Sequence, residues 1–151
     1  MIEKEIEKAV LGALHALNLD RVDIGGFWQS APAGEVKGAE KPDARAVLRV
    51  VASPMAFDTF SSSKANISVA IALVIRKEMS PGGEAIEELS APISAMLEGW
   101  HMSIDLVKND FAVPGFVPCG LRLDGGEPSN SAEAWAVTQK FTLRGVVNKR
   151  R

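Results

Sequence analysis

Ile67-Ser68-Val69-Ala70-Ile71-Ala72-Leu73-Val74-Ile75 is the stretch on which the fold turns. Alternation puts Ile67, Val69, Ile71, Leu73 and Ile75 on one face of a strand. Ala70, Ala72 and Val74 make the other face apolar too, and a strand apolar on both faces is expected to be covered on both sides. In a chain of 151 residues, one of those covers can be another subunit.

Upstream, a helix is expected from Ile2 to Leu17. Ile2, Ile6, Val10, Leu14 and Leu17 recur there at three- and four-residue spacing and form one apolar stripe. Glu3, Glu5 and Glu7 lie near its start, where the helix dipole favours negative charge. Asn18 and Asp20 are stop residues. A short strand from Val22 to Ile24 precedes a long polar stretch, Gly25 to Asp43, of a length usual for functional or mobile loops. Phe27 and Trp28 at its start read first as a cap on the core edge and second as a binding pair. Ala44 to Ala52 alternates as a strand, with Ala46, Leu48 and Val50 on one face and Arg45, Val47, Arg49 and Val51 on the other. Between Ser53 and Asn66 an extended arm is expected to join two antiparallel strands. Its Met55, Phe57 and Phe60 are candidate partner contacts, because large apolar groups are out of place in a solvated loop. The competing reading folds them back onto the core.

Downstream, Pro81-Gly82-Gly83 breaks the chain. Ile86, Leu89, Ile93, Met96 and Leu97 then keep helical spacing. Pro92 inside that run predicts a kink, or a break with Ser90 capping a second helix. Ser103 to Val107 reads as a short strand, and Gly115 to Leu123 as an edge strand, since Pro118 removes a ladder donor. Asp124-Gly125-Gly126-Glu127-Pro128 is a turn signal. The last strand is expected from Ala134 to Val147, with Trp135, Val137, Phe141 and Leu143 on one side and Thr138, Lys140, Thr142 and Arg144 on the other. Asn148 to Arg151 is a basic tail. The order predicts a single α+β domain over residues 1–151, an antiparallel sheet of about four strands with two main helices on one face.

The composition, 46% hydrophobic and 24% charged, is that of a globular chain. A net charge of −2 argues against a dedicated nucleic-acid binder. The N-terminus alternates charges and does not read as a signal peptide, and no run approaches the ~18 apolar residues of a membrane span. The single cysteine, Cys119, favours a reducing compartment.

No catalytic, cofactor-binding or metal site is expected. His15 and His101 are scattered and a zinc site needs about four convergent ligands. Cys119 reads as structural, because a nucleophile needs an adjacent base. Asp105, Asp110, Asp124 and Glu127 show no pairing for acid–base work. Gly82-Gly83 before a helix reads as a plain turn before an anion site. Lys140 and Arg144, with Lys149, Arg150 and Arg151, are the only basic concentration and read as a solvated face plus a tail.

The closing strand Trp135 to Val147, after the Gly-rich acidic turn Asp124-Gly125-Gly126-Glu127, resembles that of lambda-like phage tail terminators and related minor tail proteins. The helix Ile2 to Leu17, the strand Arg45 to Ala52, the arm Ser53 to Asn66 and the strand Ile67 to Ile75 follow in an order similar to theirs. The chain departs from that layout in the Gly25 to Asp43 loop and in Pro92. The resemblance implies a structural virion protein of a phage or prophage. Such a protein forms a homo-oligomeric ring, commonly a hexamer, that caps the tail tube, ends its polymerisation and joins it to the head. It implies tail-tube and head–neck proteins as partners, a place in the virion tail after assembly in the host cytoplasm, and no catalytic residues, cofactor, membrane or specific nucleic acid. The alternatives are a head–neck adaptor or another protein-binding module, and after those a small enzyme with an unrecognised site.

Overall fold

Ile6, Val10 and Leu14 recur every four residues and are fully buried, which fixes the inner stripe of the first helix, α1 (Ile2–Ala16). It ends where Asn18 takes the left-handed conformation, φ 55°, which Asn tolerates better than most side chains. The computed structural model describes residues 1–28, 44–57 and 63–147. After α1 come β1 (Val22–Gly26), β2 (Ala46–Ala52), the two-residue β3 (Ala56–Phe57) and the long β4 (Lys64–Arg76). A 3-10 turn (Lys77–Met79) leads into α2 (Glu84–Met102) and α3 (Ile104–Asp110). The chain closes with the hairpin β5 (Phe116–Pro128) and β6 (Ala134–Val147).

The strands form one sheet in the order β1-β2-β4-β6-β5, with β3 on the β2 side of β4. This corrects the expected architecture. Among the described residues the sheet has six strands rather than about four, it is mixed rather than antiparallel, and three α-helices accompany it rather than two. The mixed character comes from β1, which pairs parallel to β2 from Val22↔Ala46 to Gly26↔Val50. Parallel neighbours need a long connection to bring the chain back to the same end of the sheet. The chain covers that return between Gly26 and Ala46, and of the expected Gly25 to Asp43 loop, residues 29–43 lie outside the described residues.

Three further expectations are corrected. Ser103 to Val107 is not a strand: Ser103 is the N-cap of α3, its Oγ accepting from the Leu106 N–H at 3.2 Å. Ser90 does not cap a second helix. α2 continues through Pro92, and the Ser90 hydroxyl donates back to the Ile86 carbonyl at 2.5 Å. Asp124 to Pro128 is not the hairpin turn but the end of β5, and the hairpin closes over residues 129–133. The ladder slips by one residue between Leu123 and Gly125, with Gly125 at φ +89°, so the glycine-rich stretch makes a β-bulge. Placing β5 at an edge agrees with the structure, and β6 has the expected bounds.

One side of the sheet carries the core. The odd-numbered residues of β4, Leu48 and Val50 of β2, and Phe141 and Leu143 of β6 are buried together with the inner stripes of the helices. At its centre Trp100 of α2 meets Phe111 and Phe141, with ring centroids 4.8 and 5.8 Å away. The Trp100 indole N–H donates to Asp110 Oδ2 at 2.7 Å, which ties the end of α3 to α2. Where β2 enters the sheet, Arg45 bonds Glu88 of α2, Nη2 to Oε2, at 2.8 Å. That hydrogen bond raises the guanidinium pKa above its ordinary value and holds the Glu88 carboxyl below its own.

Candidate interaction surface

With every described helix on one side, the opposite face of the sheet is left open by the described residues. Cross-strand partners share a face, so the ladder spells out this surface row by row. The first row runs Asp23, Val47, Val74, Ala136. The second runs Gly25, Arg49, Ala72, Thr138 and Glu127. The third runs Val51, Ala70, Lys140 and Gly125. Further along come Ser68, Thr142 and Arg122, then Asn66, Arg144 and Gly120, then Lys64, Val146 and Val117.

The face therefore has two halves. Near β2 and the middle of β4 it is small and apolar, and Val51 and Val74 remain 39% and 37% exposed. Towards β5 and the far end of β6 it is polar and cationic. The second cover expected for β4 is not supplied by any described residue of the chain. A sheet face apolar in its middle and left exposed is the mark of a contact surface.

Two groups rigidify this face. Arg49 lies across β1, donating to the Asp23 carbonyl at 2.9 Å and facing the Asp23 carboxylate at 3.3 Å. On the other flank Asp124, displaced by the bulge, accepts from the Thr142 hydroxyl at 2.5 Å and from Arg122 Nε at 2.7 Å. Burial alone would push the Asp124 carboxyl up. The Thr142 and Arg122 bonds, with Lys140 nearby, outweigh it and hold the group below the usual range.

The candidate partner contacts divide. Met55 is half-buried and packs on the core, its N–H held by Glu3 Oε2 at 2.8 Å. Phe57 is 43% exposed and lies opposite Ala65, on the helix side of the sheet beyond the open face. Phe60 lies outside the described residues. The arm is not a projection over its described length: β3 continues along β4 after β2, so the chain remains part of the sheet. Trp28 acts as the core cap, its indole donating to the Ala52 carbonyl at 2.6 Å, while Phe27 stands exposed against its ring.

The residues considered for chemistry are not brought together. His15 and His101 are exposed on different helices and Cys119 is exposed in the β5 edge strand. Asp110 is engaged by Trp100 and Asp124 by Thr142 and Arg122. Among the described residues no group of three or more His, Cys, Asp or Glu could hold a metal ion. No described helix is long and apolar enough to cross a membrane.

Sequence reasoning missed Glu3 and Glu7. Rather than simply facing the helix dipole, both are buried and accept backbone N–H bonds from two distant segments, Met55 for Glu3 and Trp28 for Glu7. The available signal was their i, i+4 spacing beside Ile6 and Val10, which puts both carboxylates at the margin of the buried stripe. No protein-family model matches the chain, and no curated protein matches it.

Proposed function

We propose that this chain is a structural protein of a phage or prophage virion, of the tail terminator type, that works as a closed ring of copies on the end of the tail tube. On this reading it ends tube polymerisation and offers the joining surface to head–neck proteins. It acts through contacts and needs no catalytic residue, cofactor or metal. The observation that carries the reading is β4. From Val69 to Ile75 it is apolar on both faces, and only one of them is covered by described residues. A strand of that composition is made for burial on both sides. A second copy or a virion partner supplies the other cover. The order of elements, helix then sheet then helices then closing hairpin, also resembles that of the tail terminators.

The test is to add the purified protein to tail tubes assembled from a tail-tube subunit and to image them by cryo-microscopy. A closed arrangement of several copies at one end, with further tube growth halted, is the expected result. A single copy per tube end, or no binding, would remove the proposal.

A further inference from the structure

The open sheet face has an opposite number on the same molecule. α2 reads Glu84-Ala-Ile-Glu-Glu-Leu-Ser-Ala-Pro-Ile-Ser-Ala-Met-Leu-Glu-Gly-Trp-His-Met102, with four glutamates and no lysine or arginine. Its inner stripe, Ala85, Leu89, Ile93, Leu97 and Trp100, is buried in the core. The opposite ridge is exposed. Glu84 and Glu87 stand at one end beside Glu88, whose charge Arg45 already meets, Glu98 stands near the other, and Ala91, Ser94 and Ala95 lie between. The ridge is thus acidic at its ends and flat in the middle. On the open sheet face Ala70, Ala72 and Val74 lie in one half and Lys140 and Arg144 in the other, so the flat middle of the ridge matches the first and its glutamates the second. A 19-residue helix is about 28 Å long and a 13-residue strand about 43 Å, so the ridge fits within the sheet face.

We infer that the open sheet face takes the outward ridge of α2 from a second copy of this chain. The inference rests on the ring reading above and names its two surfaces. The helix layer and the open face lie on opposite sides of one molecule, so each copy presents a donor side and an acceptor side. That contact is heterologous: repeated, it closes into a ring when the rotation per copy allows, and it does not stop at a dimer. Small residues on both surfaces let helix and sheet approach closely, and the opposite charges set orientation and register.

Charge reversal tests this. The sheet variant carries Lys140→Glu and Arg144→Glu, the helix variant Glu87→Lys and Glu98→Lys, and a third carries all four changes. Circular dichroism establishes that each is folded, and sedimentation measures self-association of the full chain. Each single-sided variant should need roughly tenfold more protein to associate. The four-fold variant should return close to the unmodified chain, because both surfaces have exchanged sign. Unchanged association in either single-sided variant, or no recovery in the combined one, overturns the assignment of surfaces while leaving the ring reading standing. A chain that stays monomeric at every concentration and on tail tubes overturns both. Duplex DNA is the other occupant a cationic sheet face would suit. A DNA complex at about 150 mM salt that the sheet variant abolishes would assign the face to DNA and overturn the inference.

Discussion

Trp100→Ala should destabilise the fold by about 3–5 kcal/mol, read as the shift of the urea midpoint at constant slope. Three losses combine. The indole is buried and its removal leaves a cavity between α2, α3 and β6. Its ring contacts with Phe111 and Phe141 go with it. Asp110 also loses the N–H that holds its carboxylate at 2.7 Å. Domains of this kind have total stabilities of about 5–15 kcal/mol, so the variant stands close to unfolding. Trp100→Phe keeps most of the volume and should lose less than half as much. A loss of under about 1 kcal/mol for the alanine variant would show that the aromatic cluster does not carry the junction of the three elements.

Glu7→Ala should cost about 2–4 kcal/mol, the sum of a charge-assisted hydrogen bond and a small cavity. The carboxylate is 0% exposed and accepts from the Trp28 N–H at 2.8 Å, which fixes the point where the chain leaves β1. Glu7→Gln keeps an acceptor oxygen and should cost clearly less. The neighbouring glycine supplies a cross-check. A Cβ on Gly26 would fall 2.3 Å from Glu7 Oε2 and 2.6 Å from Cδ, so Gly26→Ala forces the buried carboxylate aside. Once Glu7 is Ala that collision is gone. The two substitutions should therefore cost less together than the sum of their separate effects in urea unfolding. Strict additivity would mean that the carboxylate does not rest on Gly26.

How far the sequence could be read depends on how local each signal is. β6 was legible from end to end because alternation over fourteen residues has no helical equivalent. The stripe of α1 was legible for the same reason, with a period of its own. β1 was seen only in part, and its parallel pairing with β2 not at all. Pairing direction is decided by where the chain returns after a long connection, which no local pattern records. Asp124-Gly125-Gly126 misled because a turn and a bulge ask for the same residue: a glycine at positive φ serves both. Ile104 and Leu106 mimicked a strand, yet both are exposed and it is Val107 that enters the core, at helical spacing from the Ser103 cap. For the interaction surface, the two apolar faces of β4 were visible in advance. Which face stays open was not, since that depends on all three helices choosing the same side.

Targeted cross-linking tests most directly whether copies of this chain meet sheet face to helix ridge. In a Cys119→Ser background, which removes the exposed native thiol, Val74→Cys marks the open face and Ala95→Cys the outer ridge of α2. The two positions lie on opposite sides of one molecule, so a short bismaleimide can join them only between copies. The variant carrying both cysteines should give a ladder of covalent oligomers ending in one closed species, while each single-cysteine variant stays monomeric. Efficient dimers from Val74→Cys alone would mean that sheet faces meet each other. A double variant that yields only monomer under associating conditions would contradict the claim outright.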